Sequence, residues 1–303
     1  MKYIELKVNI PKTICDEFTE FLDSLEVEGY YEILFDSSLP KKSGELFRED
    51  TNIRVYLGEE DFDKEIKIRI YLKAESPDNS FIESRIIETK EFEEAYKEFY
   101  KPFLIGNSFW IVPIWEKDSE QNLEITSNQN HRILYMNPGL AFGTGHHETT
   151  KLMLKRMEEI LKESSRVLDL GTGSGILSIG AATLGAKEIT AIDIDPNAVR
   201  ATEYNWKENF FDESIQFELL EGSIDHPSIH SKEYDLILAN ITFAVISNNI
   251  KFIKKLKTKK LLFSGLITER EQDSLNLFQD VLGGRLIYKE ILNDWLVIEW
   301  EKD

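Results

Sequence analysis

Residues Arg166–Val199 read RVLDLGTGSGILSIGAATLGAKEITAIDIDPNAV. A short apolar strand runs into Gly171, Gly173 and Gly175, a helix of small residues follows, and a second apolar strand ends on Asp193. Strand, glycine turn, helix and strand make one βαβ unit, which places two strands in parallel. The glycines allow a tight turn and let a ligand touch bare backbone. Asp193 stands at the end of the second strand, where a carboxylate can accept hydrogen bonds from both hydroxyls of a ribose. Glycines at this spacing occur in many plain turns; their order with strand, helix and acid carries the reading.

The same stretch bears on which nucleoside is held. A pyrophosphate at a helix N-terminus suits G-x-G-x-x-G, whereas this loop is G-x-G-x-G. Asp169 lies two residues before the first glycine, and its carboxylate would oppose a diphosphate. It favours a cationic ammonium group instead, unless it only caps the turn. S-adenosylmethionine has a ribose for Asp193 and an α-ammonium group for Asp169, and is therefore expected ahead of NAD.

Downstream, strands and helices keep alternating. PNAVRATEYNWKENF is a helix with Pro196 in its first turn, IQFELLEG and YDLILANI are strands, and a helix spans about 243–256. The strand KLLFSGL and a helix over about 269–282 follow. RLIYKEIL and WLVIEW are separated only by Asn293 and Asp294, too close for a crossover, so they form an antiparallel hairpin. The expected fold is a Rossmann-like α/β domain, a doubly wound, mostly parallel sheet with that hairpin at its C-terminal end. YDLILANI delivers Asn240 to the same carboxyl edge, where its carbonyl can hold an amine in line with a methyl group. A turn role for Asn240 is the plainer alternative.

Upstream lies NPGLAFGTGHHETT, Asn137–Thr150. Gly143 and Gly145 permit close approach, Phe142 can exclude water, and Thr149 and Thr150 open a helix as caps or as cofactor contacts. His146 and His147 are adjacent and so point apart, without a Cys/His/Asp set at metal spacing; no metal site is expected. His147 is a candidate for taking a proton from an amine, and a structural role is equally open.

Residues 1–85 read as a small α+β, ferredoxin-like unit. YIELKVNI and YYEILFD are strands around a helix over about 12–25, and TNIRVYLG and EIKIRIYLK alternate as further strands. FIESRIIETKEFEEAYKEFYK has a helical pattern, and residues 86–101 are assigned as a helical linker to a catalytic domain at 102–303. Within that domain SFWIVPIW is a strand, and EKDSEQNLEITSNQN a turn and polar loop.

The chain has 303 residues, 42% of them hydrophobic, so a sizeable core can form. It contains no apolar run long enough to cross a bilayer, and MKYIELKVNI alternates like a strand instead of resembling a signal peptide. A single cysteine, Cys15, excludes an intramolecular disulfide and a cysteine-rich zinc site. The cytoplasm is the expected compartment. A formal net charge of −19 disfavours direct nucleic-acid binding and favours a basic partner, or else simply aids solubility.

With these pieces placed, the sequence resembles the PrmA family, bacterial methyltransferases that modify ribosomal protein L-eleven. The resemblance rests on NPGLAFGTGHHETT, on Val167–Val199, and on DLILANI, LLFSGLITEREQD, NDWLVIEW and IGNSFWIVPIW. It implies a class I methyltransferase domain in which Thr150, Gly171, Asp193 and Asn240 contact S-adenosylmethionine, with S-adenosylhomocysteine as product. It also implies methylation of lysine ε-amino and α-amino groups, and recognition of the basic ribosomal protein by the N-terminal domain. A monomer is expected. The family usually reads FGTGTHPTT, so His146 and Glu148 depart from it, as do Thr242 and Phe243 after Asn240. Those departures leave open another protein or a small amine as acceptor. A non-catalytic S-adenosylmethionine-binding module and an NAD oxidoreductase are the alternatives of other classes.

Overall fold

The computed structural model describes residues 2–25, 27, 29–33, 50–76, 81–88, 100–137, 143–209 and 214–303. The chain divides into two compact units, Met1–Phe99 and Tyr100–Asp303.

The first unit runs β1 (Lys2–Pro11), α1 (Cys15–Ser24), β2 (Gly29–Ile33), β3 (Asp50–Gly58), α2 (Phe62–Glu75) and β4 (Phe81–Glu88). Its four strands lie in the order β2-β3-β1-β4 with every neighbouring pair antiparallel, the ferredoxin-like arrangement. Ile4, Leu6, Val8 and Ile10, alternate residues of β1, form one core with Phe18 and Leu22 of α1 and Ile68 and Leu72 of α2.

Two segments differ from their sequence reading. EIKIRIYLK is not a strand but lies inside α2. Its isoleucines repeat every second residue, yet the buried pair is Ile68 and Leu72, four apart, while Ile66 and Ile70 stay 57% and 63% exposed. Glu65–Arg69 and Asp63–Lys67 ion pairs at the same spacing fit the helix. FIESRIIE is not helical: it is β4, paired with β1 from Asn9↔Phe81 to Lys2↔Glu88. An open edge of β1 outweighs a weak local preference. Residues 86–88 of the expected helical linker are thus strand, and 89–99 lie outside the described residues.

The second unit opens with a three-stranded sheet of β5 (Phe103–Ile105), β6 (Phe109–Pro113) and β7 (Arg132–Met136). β6 and β7 are parallel, and the stretch read as a polar loop between them supplies the crossover helix, α3 (Glu120–Ser127). Ser119 caps it, its hydroxyl accepting the Asn122 amide at 3.1 Å.

Seven strands form the main sheet in the order β10 (Gln216–Glu221), β9 (Glu188–Asp193), β8 (Arg166–Leu170), β11 (Leu236–Asn240), β12 (Lys260–Ile267), β14 (Trp295–Glu301), β13 (Arg285–Leu292). The first five are parallel, and β14 is antiparallel to both its neighbours. Helices α4 (Glu148–Ile160) and α5 (Ile176–Thr183) share one core with Val167, Leu236 and Leu238. α6 (Pro196–Glu208) and the short α7 (Pro227–Ser231) follow β9 and β10. α8 (Phe243–Lys255) shares the other core with Leu168, Leu170 and Ile237. Both faces of β8 and β11 are therefore buried, which is why their sequences are mostly apolar, with Asp169 the charged exception in β8. α9 (Glu271–Leu277) precedes the hairpin, whose turn sets Asn293 at φ +54°, a conformation asparagine tolerates. No helix among the described residues is long and apolar enough to cross a membrane.

Strand order reverses between β8 and β11. At such a switch point the connections leave in opposite directions and a crevice opens at the carboxyl ends of the strands. Asp169, Gly171 and Asn240 all lie there.

Candidate functional site

β8 turns out of the sheet at Gly171, whose φ of +70° excludes most side chains; a Cβ there would also stand 2.4 Å from Cγ2 of Ile241. Gly175 caps α5 at φ +83°, with Thr202 only 3.0 Å from where its Cβ would be. The Gly173 amide donates to Asp193 Oδ2 at 2.9 Å, and Asp193 Oδ1 receives the Asp195 amide at 3.0 Å. The acid at the end of β9 thus fixes the glycine turn, and each of its oxygens keeps a second lone pair for a ligand. Ile194 beside it is 74% exposed, a large apolar surface on the rim of the crevice. Sequence reasoning misses it, although an apolar residue between two aspartates after a strand has ended is a visible signal.

Asp169 is fully buried. Its Oδ2 accepts from the hydroxyls of Ser178 at 2.7 Å and Thr172 at 2.8 Å, while Oδ1 has no partner. Burial pushes its pKa up to about 6; the Ser178 and Thr172 hydrogen bonds oppose the rise and the charge of Asp193 adds to it. A cation beside Oδ1 would relieve the cost of that unpaired oxygen. In the cofactor-free protein, stability from this group is fully present below the unfolded pKa near 3.8 and is lost as pH rises through about 6. Asp169→Asn is therefore expected to gain about 2 kcal/mol relative to the unsubstituted protein between pH 4 and pH 7.5. Denaturant unfolding across that range measures the difference, and a pH-independent gap would contradict it.

The loop Gly143–Thr150 meets the glycine turn directly. Ser174 donates its hydroxyl to the Gly143 carbonyl at 2.7 Å. Asn205 of α6, fully buried, receives the Asn137 amide at 2.8 Å and donates to the Ser174 carbonyl at 2.8 Å. One asparagine thus ties the start of the first loop to the second. Nothing local in its helical sequence marks Asn205, because its partners lie 68 and 31 residues away.

Thr150 is fully buried in the first turn of α4, and its hydroxyl receives a long hydrogen bond, 3.5 Å, from Asn240 Nδ2. Asn240 Oδ1 takes no hydrogen bond and remains available as an acceptor. His147 is the N-cap of α4: its Nδ1 accepts the Thr149 amide at 3.3 Å and lies 2.8 Å from the Thr149 hydroxyl. Its ring meets the indole of Trp295 edge-on at 4.7 Å. Phe142 lies outside the described residues. A separate cleft of about 420 Å³ at the amino edge of β8–β10 has charged residues on its rim that pair with each other, Arg166 with Glu233 and Lys232 with Glu218.

Comparison with known proteins agrees with this arrangement. The profile of the family described as Ribosomal protein L11 methyltransferase (PrmA) matches residues 2–303. A protein named Ribosomal protein L11 methyltransferase from Leptospira interrogans serogroup Icterohaemorrhagiae is 49% identical over 306 residues, covering 100% of this chain and 99% of its own length. Its namesake in Staphylococcus carnosus is 30% identical over 328 residues, with 100% and 99% covered. The crystal structure of a ribosomal protein L11 methylase from Lactobacillus delbrueckii subsp. bulgaricus aligns with a TM-score of 0.57 at 26% identity, over 67% of this chain and 99% of that one. The chain belongs to the ribosomal protein L11 methyltransferase (PrmA) family.

Proposed function

We propose that this chain transfers methyl groups from S-adenosylmethionine to lysine ε-amino and N-terminal α-amino groups of ribosomal protein L11, acting as a monomer in the cytoplasm. The observation that carries the reading is the meeting, at one switch point, of a ribose-type acid, Asp193, with two unpartnered acceptor oxygens, Asp169 Oδ1 and Asn240 Oδ1. The glycine turn and Asp193 hold the nucleoside, Ile194 offers its apolar surface to the base, and Asp169 faces the ammonium group. When bound, S-adenosylmethionine supplies an electrophilic methyl on a sulfonium that leaves without needing a proton. Asn240 Oδ1 accepts an N–H of the incoming amine and so turns its lone pair toward the methyl. The Thr150 hydroxyl holds the amide of Asn240 in place. The amine loses its proton to water, an α-amino group with pKa about 7.7–8.0 more readily than a lysine near 10.4.

The first unit recognises the protein substrate. Residues 1–99 carry 25 Asp and Glu against 14 Lys and Arg, which favours a basic partner over nucleic acid. On α2, Phe62, Ile66 and Ile70 form a stripe at four-residue spacing, 55%, 57% and 63% exposed. Replacing Ile66 and Ile70 together by Ser is expected to raise KM for L11 roughly tenfold, the loss of two apolar anchors, with affinity for S-adenosylmethionine unchanged. Steady-state kinetics with L11 varied checks this. Mass spectrometry of L11 after incubation with the enzyme and S-adenosylmethionine tests the function itself. Methyl increments on lysine or the N-terminus are the expected result, and an unmodified L11 would refute it.

A further inference from the structure

The loop's histidine pair raises a question that the transfer chemistry does not use: why His146 is there at all. Its ring stacks on Phe103 with centroids 4.0 Å apart and planes 26° from parallel. Tyr100 meets the same ring edge-on at 4.6 Å and 80°. The Tyr100 hydroxyl is hydrogen-bonded to the hydroxyl of Thr144, on the same loop. Between them Gly145 sits at φ +103°, so close that a Cβ would lie 3.1 Å from Phe103, 3.2 Å from Ile111 and 3.3 Å from Ile176. Ile176 is the first residue of α5, the helix that the glycine turn opens. Two residues before Gly145, the carbonyl of Gly143 receives the Ser174 hydroxyl.

We propose that His146 is a positioning residue for the cofactor: clasped by Tyr100 and Phe103, it seats the loop against the glycine turn and so sets the affinity for S-adenosylmethionine. The inference rests on the function proposed above. Burial first, and the charge of Lys151 second, lower the His146 pKa to about 4. The ring is neutral at pH 7 and packs as an aromatic plate. Glu148, the loop's other departure from the family motif, is also engaged, its Oε1 accepting from Asn293 Nδ2 at 3.0 Å. Both departures brace the loop, His146 on β5 and Glu148 on the β13–β14 hairpin.

Calorimetry with S-adenosylmethionine and steady-state kinetics with L11, on the full chain, test this. His146→Ala is expected to raise Kd and KM for S-adenosylmethionine roughly tenfold, as two aromatic contacts are lost, with kcat within about twofold. His146→Phe, which keeps a ring to stack, should recover affinity to within about threefold of the unsubstituted protein. A merely structural role would lower thermal stability in both variants without this split between KM and kcat. Unchanged affinity in His146→Ala, no recovery in His146→Phe, or a fall in kcat at unchanged Kd would each overturn the proposal. If His146→Ala does not fold, Tyr100→Phe decides, since it removes only the hydroxyl joined to Thr144: roughly threefold weaker binding supports the clasp, and equal binding overturns it. An unsubstituted protein that bound no S-adenosylmethionine would instead overturn the functional reading beneath it.

Discussion

Asp193→Ala is expected to weaken S-adenosylmethionine binding by a hundredfold or more. Hydrogen bonds to a charged acceptor contribute about 1.5–3 kcal/mol each, and Asp193 is placed to accept two from a ribose, together about two to four orders of magnitude in Kd. The substitution also releases the Gly173 and Asp195 amides that the carboxylate now holds, so the glycine turn loses its tie to β9. Asp193→Asn keeps one acceptor oxygen and should fall between the two. Calorimetry measures the change, and an affinity within threefold of the starting value would remove the ribose from this place.

Asn240→Ala has the other large effect, and on a different quantity. Its Oδ1 takes no hydrogen bond among the described residues, and its Nδ2 is directed at Thr150. Alignment of a nucleophile is most of what methyl transfer requires, so losing this group should slow single-turnover transfer by about a hundredfold or more. Kd for S-adenosylmethionine should stay within about fivefold, because the ribose and ammonium contacts proposed for Asp193 and Asp169 would be untouched. A radiolabelled-methyl assay at saturating cofactor separates the two. Transfer at the original rate would assign Asn240 to the turn alone.

These two residues are legible in the sequence for a physical reason. Parallel strands buried on both faces show as mostly apolar runs, and a polar residue that ends such a run lies at the carboxyl edge of the sheet; EITAID, ending on Asp193, and LILAN, ending on Asn240, both have this form. The closing hairpin is legible because two residues cannot span a crossover. In α2 the pattern I-K-I-R-I fits a period of two, and only packing against β1 makes Ile68 and Leu72 the core pair. β4 needs the free edge of β1, which local sequence does not reveal. At the site, His147 is a candidate base by residue type, yet its ring is engaged at the start of α4 and against Trp295. The NDWLVIEW motif carries the family resemblance without showing a role; in the fold its Asn293 and Trp295 brace Glu148 and His147. Such partners are set by tertiary proximity across 145 residues in the case of Asn293 and Glu148, beyond the reach of spacing or periodicity.

β14 fills the gap between β12 and β13, yet it is synthesised after every other strand of that sheet. Until residues 295–301 emerge from the ribosome, β12 keeps an open edge with an unpaired row of amides and carbonyls, and β13, whose neighbour in the sheet is β14, has no strand to pair with. Completion of this sheet is thereby postponed until residues 295–301 are made, while β1 to β4 are all made by residue 88. A chain cut short before Trp295 would keep every strand from β1 to β4 and lack the strand that joins β12 to β13.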